Sequence, residues 1–276
     1  VVTAGGSATF TVSATGTAPL SYQWRLNGTS ISGATGSSYT RSNAQPGDAG
    51  SYSVVVSNAG GSVTSGNAVL TVNVPPTISL QPQGQTVNQG GNATFTVTAS
   101  GTAPLSYQWQ LNDANISGAN SSAYTCANAQ ASDAGSYTVL VVNVGGSITS
   151  AVAVLTVNLA PSITTHPQDQ TVNEGGTATF TVVATGAPPL SYQWRFNGAN
   201  LAGATGSSYT RAGVQPADAG AYSVVVANMA GSVTSSNAML TISTAPVITA
   251  QPEDLAVTQG SSATFTVVAV GTAPLS

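Results

Sequence analysis

Residues 105–111 read Leu-Ser-Tyr-Gln-Trp-Gln-Leu, with an apolar or aromatic side chain at every second position. This alternation is typical of a β-strand with one buried face, because successive side chains point to opposite sides of a sheet. The stretches 93–99, 136–142 and 147–157 are similarly rich in Val, Ile, Thr and Phe, and the turn 143–146 supplies Asn and Gly. No stretch shows the spacing of an amphipathic helix, so the sequence predicts an all-β sandwich.

The pattern of this region recurs along the whole chain with a step of 85 residues. The positions that keep this step are Trp24, Trp109 and Trp194; Asp48, Asp133 and Asp218; Tyr52, Tyr137 and Tyr222; and Phe10, Phe95, Phe180 and Phe265. Solenoid repeats have periods of about 20–50 residues, whereas a longer unit can bury a core of its own. The sequence therefore predicts a tandem array of small domains.

Each unit of the array ends where an apolar strand is followed within a few residues by Pro. We predict a first copy at 1–73 whose first strand is missing, complete second and third copies at 74–158 and 159–243, and the start of an incomplete fourth copy at 244–276. Because Pro fixes φ at these short joints, a rod with limited bending is expected. Neither end of the sequence coincides with a copy boundary, so we interpret the chain as a window on a longer array.

Charged residues make up only 4% of the 276 residues, against roughly 25% in a typical soluble domain. The chain has no Lys, and 4 basic against 8 acidic residues give a net charge of -4. Proteins that bind nucleic acid through its phosphates need a basic face, so we exclude this class of function. No apolar run approaches the roughly 18–20 residues of a membrane helix, and we predict no membrane span in this segment.

The copies resemble immunoglobulin-like domains, close to the intermediate set and its bacterial tandem relatives. Tyr-Gln-Trp at 22–24, 107–109 and 192–194 is similar to the sequence around the family's strand C tryptophan. Asp-Ala-Gly-Ser/Ala-Tyr at 48–52, 133–137 and 218–222 resembles its tyrosine corner. The resemblance implies tandem immunoglobulin-like β-sandwiches in which each corner Tyr hydroxyl bonds to the backbone just upstream.

The chain departs from this family at the disulfide that usually joins strands B and F. The positions that the resemblance assigns to the cysteines are Val12 and Val54, Val97 and Val139, and Val182 and Val224. Losing a disulfide costs roughly 2–5 kcal/mol, and each buried Val contributes about 1.5–3 kcal/mol. We therefore expect the sandwich to fold without the disulfide, with these Val residues and the repeated Trp, Tyr and Asp residues as its structural core.

Candidate catalytic residues are few. Cys126 stands where the first and third copies have Arg41 and Arg211, and the single His166 lies in another copy in a Thr-His-Pro sequence typical of a polar surface. One Cys and one His exclude a zinc site. We predict no enzyme activity and no cofactor. Arg41 and Arg211 are expected to contact the corner Asp residues, and a ligand site formed with Arg25 and Arg195 is the alternative.

The acidic residues form no cluster that recurs from copy to copy, since positions 84, 169 and 254 carry Gly, Asp and Asp. Paired carboxylates for glycoside hydrolysis are therefore not indicated, and calcium at the joints is the weaker alternative to no metal. Asn-x-Ser/Thr sequences occur at the chance level. Outward Ser and Thr side chains leave O-linked glycans as an alternative modification.

The surface suggests self-association, because strand edges are normally guarded by Lys or other charged residues and this chain has few of either. We predict a structural extracellular repeat protein: a rod, stalk or filament-forming subunit of a bacterial surface or secreted fibre, located outside the cell. Contacts with other copies of the array are expected to be lateral or end to end. Strand donation by residues 247–251 ranks lower, because it leaves a redundant strand at 261–269.

Two other functions remain as alternatives. An adhesin or carbohydrate-binding array needs exposed aromatic side chains, and Tyr39, Tyr124 and Tyr209 are the best candidates, although packing inside a strand fits their pattern better. The array also fits the accessory modules of a larger secreted enzyme.

Overall fold

The computed structural model describes residues 1–273 and 275. Its helical segments in this part of the chain are three single 3-10 turns, Pro46–Asp48, Ala131–Asp133 and Pro216–Asp218, and the remaining regular structure is strand. The predicted all-β class and the repeat of about 85 residues are confirmed. None of these helices has the length and apolar character needed to span a membrane.

The strands are as follows. The first copy contains β1 Val2–Thr3, β2 Ala8–Thr11, β3 Ser21–Leu26, β4 Thr29–Ser30, β5 Ser38–Arg41, β6 Gly50–Asn58, β7 Gly61–Thr64, β8 Ala68–Leu70 and β9 Val72–Asn73. The second contains β10 Thr77–Leu80, β11 Gln85–Asn88, β12 Ala93–Thr96, β13 Thr98–Ser100, β14 Ser106–Leu111, β15 Ala114–Asn115, β16 Ala123–Cys126, β17 Gly135–Asn143, β18 Gly146–Thr149 and β19 Ala153–Asn158. The third contains β20 Ser162–Thr165, β21 Gln170–Asn173, β22 Thr177–Thr181, β23 Val183–Thr185, β24 Ser191–Phe196, β25 Ala199–Asn200, β26 Ser208–Ala212, β27 Gly220–Asn228, β28 Gly231–Thr234 and β29 Ala238–Ser243. The fourth contains β30 Val247–Ala250 and β31 Val268–Val270.

The second copy shows the arrangement of its strands in two layers. One sheet has the order β11-β19-β17-β14-β15, with β18 also pairing with β17, while the other layer pairs β10 with β13 and β12 with β16. In the first sheet Trp109 lies opposite Val139, and in the second layer Phe95 lies opposite Tyr124. The third copy repeats this order with β20 to β29.

Two stretches that the sequence predicts as single strands are interrupted. Residues 93–99 divide into β12 and β13 because the two halves pair with different neighbours, β16 and β10. Residues 147–157 divide into β18 and β19 at Ser150, whose backbone N–H donates to the Val139 carbonyl oxygen at 2.9 Å. The hydroxyl of Ser150 in turn accepts the Val139 N–H at 3.0 Å, so its side chain replaces a regular ladder contact.

The chain divides into two compact units, Val1–Thr156 and Val157–Ser276. In the second copy the core is centred on Trp109, which is fully buried, and on Phe95, whose ring stacks on Tyr137 at a centroid distance of 4.6 Å. The third copy has the same stack between Phe180 and Tyr222 at 4.6 Å. Aromatic pairs of this kind add about 0.5–1.5 kcal/mol beyond the burial of their surface.

The Val residues at the family's cysteine positions lie in the layer between the sheets. Val54, Val139 and Val224 are fully buried, and Val97 and Val182 are each 5% exposed. Val12 differs because it is only half-buried, although it packs against the core cluster of Trp24. In the second copy the chain just beyond the equivalent Val97 forms β13 and pairs with β10, whereas residues 13–15 of the first copy are not in a strand.

Candidate functional site

The repeated Asp and Tyr residues form a corner at the start of the long central strand of each copy. The hydroxyls of Tyr52 and Tyr137 donate to the backbone carbonyl oxygens of Asp48 and Asp133, each at 2.9 Å. Tyr222 makes the same bond to Asp218 at 3.0 Å. Each Tyr is almost completely buried, and burial raises the pKa of Tyr222 to about 12. The repeated Tyr hydroxyls therefore serve the fold as hydrogen-bond donors.

The corner Asp carboxylates cap the 3-10 turns. An oxygen of Asp48 accepts the backbone N–H of Gln45 at 2.8 Å, and the other is 2.9 Å from the Arg41 guanidinium. The backbone hydrogen bond and Arg41 together hold the pKa of Asp48 below its usual value, despite the opposing effect of burial. Arg211 and Asp218 repeat the pair at 3.0 Å. The structure thus brings Arg41 and Arg211 to corner Asp residues.

The other Arg position also makes a local contact in the third copy. Nε of Arg195 donates to Oδ1 of Asn200 at 2.9 Å, and in the second copy Nε2 of Gln110 donates to the equivalent Asn115 at 2.9 Å. Arg25 lies opposite Ser30 in the same strand pair. The structure does not gather the Arg side chains of one copy into a common ligand site, since Arg25 and Arg41 belong to strands of different layers.

Cys126 and His166 are held in separate local environments. Cys126 is a free thiol that is only 6% exposed, and burial raises its pKa, which disfavours the nucleophilic thiolate. His166 is exposed, and its Nδ1 accepts the backbone N–H of Ser236 at 3.1 Å. Gln81 occupies the equivalent place in the second copy, where its Oε1 accepts the N–H of Ala151 at 2.8 Å. His166 therefore joins the leading segment of its copy to the connection that precedes the last strand.

The three Tyr residues considered as sugar platforms are half-buried and point into the sandwich. The ring of Tyr124 lies 6.3 Å from that of Trp109 and stacks on Tyr137 at 5.9 Å. Tyr39 and Tyr209 make the equivalent contacts in their copies. Within residues 1–273 and 275, no group of three or more His, Cys, Asp or Glu side chains could hold a metal ion.

A set of joint residues escaped the sequence analysis. Nδ2 of Asn143 donates to the carbonyl oxygen of Val74, the first residue of its copy, and to that of Thr102, both at 2.8 Å. Its Oδ1 accepts the N–H of Gly145 at 2.8 Å. Asn143 therefore binds the copy's leading residue to two of its turns. Its equivalents Asn58 and Asn228 keep the 85-residue step, which is the signal that could have identified them.

The third copy repeats this arrangement. Nδ2 of Asn228 donates to the carbonyl oxygens of Leu159 and Ala187 at 2.7 and 2.8 Å. One bond of the second copy is not reproduced. There the N–H of Val74 donates to the Thr102 hydroxyl at 2.7 Å, and Ala187 has no hydroxyl at the equivalent position.

Three features of these sandwiches identify the class of protein to which they belong: the buried tryptophan, the tyrosine corner and the strand order. The immunoglobulin domain family matches residues 1–58, 75–143 and 160–228. The chain belongs to this family.

The chain is similar to part of one enzyme and to two structures of titin domains. Endoglucanase C of Cellulomonas fimi is 37% identical over 110 residues, which are 38% of this chain and 10% of that enzyme. The I-band fragment I67–I69 of titin superimposes with a TM-score of 0.71 at 23% identity, covering 87% of this chain and 94% of the fragment. An E-to-A variant of these titin domains gives 0.72 at the same identity and coverage. The titin structures show the likeness of fold, and the matched region is a tenth of the endoglucanase's length.

Proposed function

We propose that this chain is a non-catalytic structural array, a stalk or filament-forming segment of an extracellular bacterial protein whose copies associate with one another. The observation that carries the proposal is that the residues recurring every 85 positions make contacts within their own copy. The recurring Trp, Tyr, Asp and Asn side chains are engaged in the core, the corner and the anchoring of each copy's leading residue. A repeat whose recurring residues stabilise each copy and its joint is suited to a structural element that separates its two ends by a set distance.

The anchoring of the leading residues supports stiffness at the joints. The N–H of Val74 donates to the Thr102 hydroxyl, and the N–H of Thr102 donates to the carbonyl oxygen of Val74. Nδ2 of Asn143 donates to the same Val74 carbonyl oxygen. The residue that follows the last strand of one copy is therefore part of the next copy. A joint with fewer unbonded residues has fewer backbone dihedral angles that can vary. Pro75 and Pro76 follow directly, and each proline ring restricts the φ angle of its own residue.

The surface chemistry supports association between copies of the chain. Its net charge of -4 is spread over 276 residues, so that two chains repel each other weakly. Exposed apolar side chains recur at one position of the equivalent strands β8, β19 and β29, where Val69, Val154 and Met239 are 69%, 52% and 47% exposed.

Solution scattering and sedimentation test this proposal together. An array with stiff joints gives a maximum dimension that grows in proportion to the number of copies when fragments of one, two and three copies are compared. Association gives a weight-average mass that rises with concentration between about 1 µM and 1 mM, the range of weak to moderate protein affinities. Compact particles, or a mass that stays at one chain throughout, contradict the proposal.

The match to the endoglucanase favours a second candidate, in which the array supplies accessory modules of a larger extracellular enzyme that acts on a polysaccharide. Co-sedimentation with insoluble cellulose and other glucans separates the two candidates. Saturable binding by the isolated array favours the accessory role, with bovine serum albumin as the control for trapping. Binding no greater than that of albumin favours the structural role.

A further inference from the structure

We propose that the exposed edges of β5, β16 and β26 are the surfaces through which a second copy of this chain binds, by antiparallel pairing of one edge with the same edge of the partner. The inference rests on the self-association in the proposed function and assigns it to particular backbone groups. We name these three strands the open edges.

The hydrogen bonding of β16 shows which of its residues face outward. Its neighbour in the sheet is β12, and in residues 1–273 and 275 no second strand pairs with it. The N–H of Val97 donates to the carbonyl oxygen of Ser122 at 2.9 Å, so Ser122, and by alternation Tyr124, direct their backbone groups toward β12. The N–H and C=O groups of Ala123 and Thr125 consequently point away from the sheet. Both residues are exposed.

The strands β5 and β26 of the first and third copies repeat this arrangement. Val12 and Val182 donate to Ser37 and Ser207, each at 3.0 Å. The outward residues are therefore Ser38 and Thr40 on β5, and Ser208 and Thr210 on β26, and all are exposed. The same short edge thus appears with the 85-residue step.

The side chains along the open edges do not guard them. Natural proteins block such edges with Lys, Pro or inward-pointing charge, because unpaired N–H and C=O groups attract other strands. The outward residues here are Ser, Thr and Ala. The nearest charges, Arg41 and Arg211, are drawn toward Asp48 and Asp218 at 2.9 and 3.0 Å, and β16 carries Cys126 at that position.

A second copy is the occupant that these edges fit. A strand edge paired with itself about a two-fold axis is self-complementary, as homodimer interfaces require. With Tyr124 on the axis, the outward groups of Ala123 face the partner's Thr125, and every outward amide and carbonyl gains a partner. No like charges of β16 meet in this arrangement. A single four-residue edge binds weakly, and its recurrence along the chain raises the overall affinity through multivalency.

The structure offers a matched control one strand further in. The hydroxyls of Thr9 and Thr40 lie 2.9 Å apart, and those of Thr94 and Thr125 also lie 2.9 Å apart. The third copy repeats the pair with Thr179 and Thr210 at 3.0 Å. All six side chains are exposed on the same face, but Thr9, Thr94 and Thr179 lie on the partner strands β2, β12 and β22. In the second and third copies the other side of the partner strand is occupied by a glutamine, because Nε2 of Gln85 and Nε2 of Gln170 donate to the carbonyl oxygens of Thr94 and Thr179.

The experiment compares two triple variants by sedimentation equilibrium. The edge variant Thr40→Lys/Thr125→Lys/Thr210→Lys brings like charges together at each paired edge, and its apparent dissociation constant should rise at least about tenfold. The control variant Thr9→Lys/Thr94→Lys/Thr179→Lys has the same net charge and should change it less than about threefold. Circular dichroism and thermal unfolding establish that both variants keep the fold.

A second variant removes the outward donors without adding charge. Thr40→Pro/Thr125→Pro/Thr210→Pro deletes N–H groups that β2, β12 and β22 do not use, so the sandwich is retained and association should weaken at every salt concentration. If the wild-type chain stays monomeric up to about 1 mM, the proposed self-association and the edge assignment both fail. If the wild-type chain associates and the edge and control variants weaken it equally, or neither does, only the edge assignment is overturned.

Discussion

Asn143 donates a hydrogen bond from Nδ2 to the carbonyl oxygen of Val74 at 2.8 Å, across 69 positions of the sequence. Val74 is the residue at which the second copy begins, so this contact attaches the joint to the far end of the copy's longest strand, β17. The same side chain also holds the turn at Thr102. One amide thus secures segments that are distant in sequence.

We predict that Asn143→Ala destabilises the second copy by about 1–3 kcal/mol, because it leaves the partly buried carbonyl oxygens of Val74 and Thr102 without this donor. Chemical denaturation of a fragment that comprises the first two copies measures the free energy of unfolding. The exposed Asn67→Ala is the control and should change it by less than about 0.5 kcal/mol. Equal effects of the two substitutions would contradict a role for Asn143 at the joint.

The fold could be predicted from the sequence and the contacts at the joint could not, for a physical reason. Alternation along 105–111 reports which side chains are buried, and Trp109 is fully buried as this pattern predicts. The contacts of Asn143 depend instead on the approach of the leading residue and two turns in space, which the alternation of side chains along a strand does not encode. The open edge of β16 was missed for a related reason, because a strand's own sequence does not state whether a neighbour covers its second side.

Acidification should lower the free energy of unfolding of the first and third copies by protonating their corner carboxylates. The folded pKa values of Asp48 and Asp218 lie below the ordinary 3.8, chiefly because backbone N–H groups of Gln45 and Gln215 bond the ionised form. A depressed folded pKa contributes stability that is fully present above the unfolded pKa and is lost as pH falls through the folded pKa.

Thermal unfolding between about pH 6 and pH 2 checks this expectation, since this range spans the titration of carboxyl groups. The variant Asp48→Asn/Asp218→Asn should be less stable at the upper end and should lose less stability on acidification. Asp254→Asn, at an exposed position, serves as the control and should keep the wild-type acid dependence. An unchanged acid dependence in the double variant would show that these carboxyls do not govern it.

The thiol of Cys126 should be unreactive in the folded chain. It is 6% exposed and burial raises its pKa, so both access and thiolate fraction are reduced. We expect modification by a disulfide reagent at pH about 8, near the ordinary thiol pKa, to be at least about a hundredfold slower than in concentrated guanidinium chloride. Thr125→Cys in a Cys126→Ser background places a thiol at the adjacent exposed position and should react rapidly without denaturant. Comparable rates for the two native proteins would contradict the burial of Cys126.

The Ser236 amide should depend on His166 for its protection from exchange. Nδ1 of His166 accepts the N–H of Ser236 at 3.1 Å, and this contact joins the leading segment of the third copy to the connection that precedes β29. Asp169, whose Oδ1 accepts the N–H of Met239 at 2.7 Å, holds the same segment at a second point. We predict that His166→Ala leaves the Ser236 amide without its acceptor, whereas the contact of Asp169 keeps the segment in place.

Amide hydrogen exchange followed by NMR measures this loss of protection. Exchange of the Ser236 amide should become faster in His166→Ala than in the wild-type chain. The Ala151 amide, bonded to Gln81 at 2.8 Å, is the internal control and should keep its protection. His166→Gln copies the second-copy arrangement and should retain the protection of Ser236. If Ser236 exchanges at the same rate in the wild-type chain and in His166→Ala, the side chain of His166 does not control the contact.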